Sequence, residues 1–240
     1  MGADIHFYVE KKQADGSWEL QGRFEREVED EGTDDEYVWM GQVDRPMYSG
    51  RNYNLFAILA DVRNGRGFAG IKTGEGFNPI SDPRGVPDDA SQGYIELVDQ
   101  YGCDGHSHSY HTLRQILDFD WTQTTECQGW CSMSNYLPWA TRGVKDEGPA
   151  SYGSAVGGVA VTHLTDDEAN KLVDQYKSMG WEDRQSFIDK QQGVYALAKW
   201  NPTYHYCAGS FVNSTIPKLL ALAGGTSGLD DVRIVFFFDN

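Results

Sequence analysis

The chain has 240 residues, of which 40% are hydrophobic, enough to form one large core. Its 36 acidic and 20 basic residues give a formal charge of −16, which argues against binding to duplex nucleic acid or to an anionic membrane. A small anion remains compatible with this charge, because local arginines act within the screening length of roughly 8–10 Å.

The sequence contains no apolar run of signal-peptide or membrane length, so we expect a cytoplasmic protein. The four cysteines, at positions 103, 127, 131 and 207, are expected to be reduced in that compartment. No internal repeat is visible, and the pattern favours a single domain over residues 1–240. Assembly into a homo-oligomer is left open.

Alternating residues near the N-terminus predict a strand over residues 3–11. Its polar residues Asp4, His6 and Tyr8 are expected on one face, and the apolar residues between them on the face that packs in the core. A turn and a second alternating run over residues 18–24 predict an antiparallel hairpin partner.

An acidic segment follows this hairpin. Over residues 25–36, eight of twelve residues are Asp or Glu, a density that predicts a solvated loop or hairpin tip. A short strand is expected over residues 38–43. The acidic segment also supports a hypothesis of its own, an inhibitor that binds proteins by imitating a charged partner.

Apolar residues at helical spacing predict the helices. Thr112 with Gln115, and Thr165 with Glu168, form capping boxes that mark two helix starts. The predicted helices cover residues 51–63, 91–101, 113–119, 166–179, 181–192 and 211–223, the last with a kink at Pro217.

The remaining segments complete a mixed, mostly antiparallel α+β fold with long glycine-rich loops. Residues 64–87 are rich in Gly and Pro and predict a lid or mobile loop, and residues 122–158 predict an irregular insertion. Extended segments are expected at 158–163 and 194–206. Residues 232–238 form an apolar run typical of a strand in the middle of a sheet, so we expect one sheet to contain both terminal strands, with helices flanking it.

Two polar clusters have the residue types of a metal site. Asp4 and His6 share one strand face, and Asp104, His106 and His108 repeat the same spacing of two. Carboxylate and imidazole groups suit Zn or Mn, so one hypothesis is a metal-dependent phosphodiesterase or hydrolase. In it, Asp4, His6, Asp104 and His106 hold the ion, and His108 acts as the catalytic group that moves protons.

A second set of residues has the character of an anion-binding pocket. Arginine forks, a helix N-terminus and a glycine-rich loop are ordinary components of phosphate sites. The alternative interpretation is that these arginines only offset nearby carboxylates. The ligand-binding candidates are Arg51, Asn52, Tyr53, Arg63, Arg84, His108 and Tyr110.

Five segments carry a resemblance to a known group of proteins: 1–6, 51–63, 84–89, 104–109 and 232–240. On these segments the chain resembles a family of hypothetical bacteriophage and prophage proteins. The resemblance implies a phage origin and the host cytoplasm, and it transfers no catalytic residue. Small phage accessory proteins often counter host defence, some by sequestering nucleotide immune signals.

The main functional hypothesis is therefore an anti-defence protein that binds a small nucleotide-like ligand without any cofactor. We expect its pocket where the first strand meets residues 104–111, with residues 64–87 as a cover. Sequestration requires rings for stacking and arginines for phosphate, but no activated water.

Overall fold

The structure is a computed structural model that describes residues 2–29 and 37–239. The chain divides into two compact units. The first unit comprises Met1–Val62, Asn78–Asp120 and Ala208–Asn240, and the second comprises Arg63–Phe77 and Trp121–Cys207. This division into two units does not test whether residues 1–240 form a single domain, so that organisation stays a prediction.

Strands and helices alternate irregularly along the described chain. The strands are β1 (Asp4–Lys12), β2 (Trp18–Gln21), β3 (Phe24–Glu29), β4 (Tyr37–Gln42), β5 (His106–Thr112), β6 (Cys127–Ser132), β7 (Thr162–His163), β8 (Val194–Trp200) and β9 (Val232–Asp239). The α-helices are α1 (Tyr53–Ala60), α2 (Gln92–Tyr101), α3 (Leu113–Asp118), α4 (Met133–Arg142), α5 (Asp166–Ser178), α6 (Trp181–Asp189), α7 (Tyr204–Ala208) and α8 (Ile216–Leu222). A π-helical segment, Phe211–Thr215, precedes α8, and short 3-10 helices occur at Phe68–Gly70 and Thr226–Gly228.

The main sheet of the first unit is antiparallel and has the strand order β2-β1-β9-β5. Both the N-terminal strand and the C-terminal strand belong to it, and helices flank it, which confirms the predicted α+β fold class. Residues 232–238 form a central strand as predicted, because every side chain from Val232 to Phe238 is buried. A strand covered on both faces needs apolar residues at successive positions rather than at alternate ones.

Helices α2 and α3 begin within one residue of their predicted starts, and α1 begins two residues later than predicted. The side chain of Asn52 caps α1 by accepting hydrogen bonds from the backbone N–H groups of Asn54 and Leu55. The capping box of Thr112 starts α3 directly after β5. All side chains of α1 from Leu55 to Ala60 are buried, so this short helix packs entirely within the core.

A buried ion pair links two neighbouring strands of the main sheet. The Arg233 Nε donates to the Glu10 Oε2 at 2.7 Å, and both side chains are almost completely buried. The Glu10 Oε1 also accepts a hydrogen bond from the Ser91 backbone N–H at 2.7 Å. Arg233 reaches the more exposed Asp89 at 2.7 Å and lies 3.9 Å from the centre of the Trp18 ring. Since a buried charge is costly unless it is paired, this set of contacts stabilises the sheet only as a whole.

A separate hairpin, β3 paired with β4, follows the main-sheet hairpin in the chain. The short strand predicted at 38–43 is confirmed as β4. The acidic segment 25–36 begins in β3, but its residues 30–36 lie outside the described residues.

The second unit contains the sheet β6-β8-β7 together with α4, α5 and α6. The prediction of an irregular insertion over residues 122–158 is wrong for residues 127–142, which form β6 and α4. In β6 the buried positions are Cys127, Gly129 and Cys131. These residues are small, so the sequence shows no clear alternation of large apolar and polar residues. Helix α4 contains Pro138, and because proline usually ends helices, the sequence pattern does not predict this helix.

Backbone contacts hold part of the glycine-rich segment in the second unit. Gly74 pairs with Cys127 in an isolated bridge, and the Glu75 backbone N–H donates to the Glu126 carbonyl at 2.9 Å. A side chain on Gly74 would lie 2.2 Å from that same carbonyl oxygen, so only glycine allows this approach. Residues 63–77 are therefore part of the packed second unit and are not a free loop. The later part of the predicted cover does lie against residues 104–111, since the Gly85 backbone N–H donates to the His108 carbonyl at 2.8 Å.

Within the described residues, no helix is both long enough and apolar enough to cross a bilayer. None of the four cysteines forms a disulfide in the described structure; Cys103 is exposed, and the other three are buried.

Candidate functional site

The predicted site combines residues of β1 and β5. Both strands belong to the main sheet, but they are not neighbours in it. Both strands pair with β9, on its two opposite edges, so Asp4 lies beside Asp239 and His106 lies beside Phe238. Two strand spacings separate them, about 10 Å at the backbone.

A backbone irregularity then separates the two histidines of β5. Ser107 has a φ of 51°, in the left-handed region, and the strand register shifts between His106 and Ser109. His106 therefore lies on the Phe238 face of the sheet, whereas His108 stacks on Phe237 on the other face, with ring centroids 5.1 Å apart. The expectation of one shared face for these histidines is wrong, because a bulge reverses the alternation on which it rested.

The four residues of the metal-site hypothesis do not lie together either. Asp4 and His6 point to the face of the sheet opposite to that of His106, and Asp104 is an exposed residue before β5 begins. In the part of the chain that the structure describes, no group of three or more His, Cys, Asp or Glu side chains could hold a metal ion. No step of chemistry is therefore derived from this set.

His6 and His108 instead sandwich one phenylalanine. The His6 ring stacks on the Phe237 ring at 4.7 Å and lies 4.2 Å from the ring of Tyr101. The His6 Nε2 is 3.3 Å from a carboxylate oxygen of Asp239, within the range of an ion pair. Burial, followed by the neighbouring His106, lowers the pKa of His108, so this ring is neutral at pH 7. The cluster is a packed layer of rings over the sheet.

Three predicted ligand-binding residues hold the start of the structure together. Arg51 forms a two-point ion pair with Asp4, with its Nε 2.7 Å from the carboxylate, and this contact lowers the pKa of Asp4. Asn52 caps α1, as described above. The Tyr53 hydroxyl accepts a hydrogen bond from the Ala3 backbone N–H at 3.2 Å.

Arg84 and Tyr110 contact each other in the first unit. The guanidinium of Arg84 donates to the Tyr110 carbonyl and to the Gln115 side chain at 3.2 and 3.0 Å, and it lies 5.5 Å from the Tyr110 ring centre. Arg63 belongs to the second unit. Arg51 thus pairs with a carboxylate, as the alternative interpretation of the sequence expected, whereas Arg84 binds a backbone carbonyl and an amide side chain.

The second unit contains a cleft of about 400 Å³ that the sequence did not indicate. We call it the lysine cleft. Helix α4, helix α5, strand β8 and the segment after α4 form its walls. Its lining residues are Tyr136, Trp139, Ala140, Gly143, Val144, Lys145, Asp166, Asn170, Val173, Asp174, Lys177, Leu197 and Lys199.

Each lysine of the cleft stands on a well-defined piece of backbone. Lys145 follows α4, and its carbonyl accepts a hydrogen bond from the Asn201 backbone N–H at 2.6 Å. Lys199 is an outward-facing residue of β8, between the buried Ala198 and Trp200. Lys177 lies in the last turn of α5, where a cation also interacts favourably with the helix dipole.

The three ammonium groups have no close carboxylate partner. Among the described residues, no ion pair within 4 Å involves Lys145, Lys177 or Lys199, although Asp166 and Asp174 also line the cleft.

Two aromatic residues complete the cleft. The Trp139 Nε1 donates to the Glu147 carbonyl at 2.8 Å, which fixes its ring. Burial, followed by the Asp166 carboxylate, raises the pKa of Tyr136, so its hydroxyl stays a hydrogen-bond donor.

Sequence reasoning missed this cleft because its residues are distributed over more than sixty positions. One pattern could have indicated it: positions 166, 170, 173, 174 and 177 share one face of α5. That face carries charged residues beside Val173. The same sequence pattern occurs on a solvated helix surface, so it does not by itself predict a cleft.

In comparisons with known proteins, no family model, no curated protein and no solved structure matches this chain.

Proposed function

We propose that the protein binds a small phosphate-bearing, nucleotide-like ligand in the lysine cleft of the second unit. The observation that carries this proposal is the set of three unpaired lysines around one cavity, in a chain whose formal charge is −16. In such an acidic protein, none of these three lysines forms an ion pair within 4 Å among the described residues, and Lys199 interacts with Glu75 only at longer range. Three lysines in the lining of one cavity favour an anion in that cavity.

The size and lining of the cleft suit this ligand class. Ligand pockets commonly measure 300–1,000 Å³ and combine apolar walls with a few polar groups, and the lysine cleft of about 400 Å³ lies in the lower part of that range. Val144, Val173 and Leu197 provide apolar surface, while Asn170 and Tyr136 provide hydrogen-bonding groups. A phosphate near the lysines and a base against the apolar wall would use both kinds of lining.

The global negative charge does not oppose binding at this distance. Exposed charges farther away than the Debye length of about 8–10 Å are largely screened at physiological salt, so the charges that line the cleft set the potential there, and its three lysines outnumber Asp166 and Asp174. The second unit also has a formal charge of only −1, from 11 acidic and 10 basic residues.

The role that we propose is capture of the ligand. The resemblance to bacteriophage proteins suggests that the captured ligand is a host signalling nucleotide, held away from its receptor. Capture requires affinity and no reacting group, and the Lys, Trp, Tyr and Asn side chains of the cleft supply binding contacts of that kind.

Isothermal titration calorimetry with adenosine 5′-monophosphate, and with adenosine as the uncharged match, tests the proposal. We expect the monophosphate to bind and adenosine to bind at least tenfold more weakly, because the lysines act on the phosphate. The double variant Lys145→Ala/Lys199→Ala should weaken monophosphate binding at least tenfold.

Lys171→Ala is the matched control, since Lys171 is an exposed lysine of α5 that does not line the cleft. It should leave the affinity unchanged. Absence of monophosphate binding, or equal binding of adenosine and its monophosphate, would contradict the proposal. Repeating the titration with guanosine 5′-monophosphate measures how far the apolar wall selects the base.

A further inference from the structure

A second cleft adjoins the lysine cleft in the same unit. It measures about 540 Å³ and is formed by the end of α4, the end of α5 and helix α6. We call it the arginine cleft. Its lining residues are Pro138, Thr141, Arg142, Tyr176, Lys177 and Arg184. Lys177 lines both clefts, so the two spaces meet at its side chain.

The arginine cleft has cationic groups and no carboxylate in its lining. Arg142 lies in the last turn of α4, and no ion pair within 4 Å involves it among the described residues. The Arg184 guanidinium lies 4.8 Å from the centre of the buried Tyr176 ring, and its Nε is a buried nitrogen without a hydrogen-bond partner in the described structure. A planar guanidinium fixed on a ring presents its remaining N–H groups in a defined direction.

We propose that the two clefts are subsites for one ligand that carries two separated phosphate groups, as a dinucleotide does. This inference rests on the proposed function and adds to it the class of nucleotide. Lys177 would lie between the phosphates, with Lys145 and Lys199 around one and Arg142 and Arg184 around the other.

The number and division of the cations favour this class over simpler nucleotides. A single phosphate would occupy one cleft and leave the cations of the other cleft without an anion. A pyrophosphate bridge keeps its two phosphates adjacent, so they reach fewer of these cations than two phosphates on opposite sides of a nucleoside. Phosphates separated by a nucleoside can place one anion in each cleft, and arginine forks are well suited to phosphate oxygens.

Calorimetric titration of the full chain with three probes tests the inference: adenosine 5′-monophosphate, ADP-ribose and cyclic di-AMP. We expect cyclic di-AMP to bind at least tenfold more tightly than either of the other two probes. In Arg142→Ala this advantage should fall to less than threefold, while the affinity for the monophosphate stays the same. Lys171→Ala is again the control and should preserve the advantage, and circular dichroism verifies that both variants are folded.

The outcomes separate this inference from the proposal on which it rests. If the monophosphate binds but cyclic di-AMP has no advantage, or if Arg142→Ala leaves that advantage intact, the two-subsite inference is overturned and the proposed function stands. If ADP-ribose binds as tightly as cyclic di-AMP, the two phosphates need not be separated, and the inference is again overturned. If none of the three probes binds, both the inference and the proposed function are overturned.

Discussion

The first unit contains 25 acidic and 10 basic residues, a formal charge of −15, whereas the second contains 11 and 10, a formal charge of −1. The use of the basic residues differs as well. In the first unit Arg51, Arg114 and Arg233 each contact a carboxylate within 3 Å. In the described part of the second unit Lys72 pairs with Glu75, and no ion pair within 4 Å involves the lysines and arginines that line the two clefts.

This difference indicates which charges serve the fold and which remain available to a ligand. A charge that is buried and paired contributes to a unique structure, and it cannot leave its partner for a ligand without a large penalty. An exposed cation beside a cavity costs little in the free protein and gains a partner only on binding. In the first unit the buried Arg233 is committed to Glu10, whereas the lysines that line the cleft of the second unit have no ion pair within 4 Å among the described residues.

The largest expected effect comes from breaking the buried pair of the first unit. Glu10→Gln leaves the buried Arg233 charge without its main counter-charge, and we expect a loss of about 3–5 kcal/mol in the free energy of unfolding. Urea denaturation followed by circular dichroism measures it. Asp89→Asn removes the partner whose side chain is 68% exposed, so it should cost less than about 1 kcal/mol. Equal losses in the two variants would contradict a structural role for burial here.

A buried histidine of the first unit should make stability depend on pH. The His111 Nε2 donates to the Leu59 carbonyl at 2.7 Å, and burial lowers the pKa of His111 to about 4. The unfolded chain takes up this proton near pH 6.5 and the folded chain only near pH 4, so stability present above pH 6.5 is lost as the pH falls between these values. The loss amounts to about 3 kcal/mol at the low end.

Comparison with His111→Gln isolates this contribution, since glutamine keeps a donor for Leu59 but does not titrate. Urea midpoints measured at pH 7 and pH 5 should differ less in the variant than in the natural chain. The same pH dependence in both proteins would assign the effect to other groups.

The smallest expected effect is on the stability of the second unit, when lysines of its cleft are removed. Lys145→Ala/Lys199→Ala removes two charges without partners, so the free energy of unfolding should change by less than about 0.5 kcal/mol per site. The same urea experiment measures it. A loss of 2 kcal/mol or more would show that these lysines stabilise the second unit and are not reserved for a ligand.

The sequence predicts the elements that have a local cause. Capping boxes at Thr112 and Thr165 mark the starts of α3 and α5, and the apolar run of residues 232–238 places β9 in the centre of its sheet. The left-handed conformation at Ser107 has no comparable cause in the sequence, since serine rarely adopts it. One such residue was enough to separate His106 from His108 and to remove the predicted metal site.

The candidate site itself depends on contacts that the sequence does not encode locally. Arg51 and Arg84 resemble phosphate ligands in the sequence, but Asp4 lies 47 positions from Arg51, and Gln115 lies 31 positions from Arg84. Whether an arginine is committed or available is decided by such distant partners. For the same reason Lys199 could not be recognised as part of a cleft before the packing of β8 against its neighbours was known.

The central position of β9 sets the order in which the chain can assemble on the ribosome. Strands β1 and β5 each pair with β9 and not with each other, so the main sheet stays incomplete until residues 232–239 have emerged. All residues of the second unit are synthesised before that point. At typical translation rates the nascent chain would present two unpaired strand edges for on the order of ten seconds after β5 is made, an interval in which edge-to-edge aggregation competes with folding.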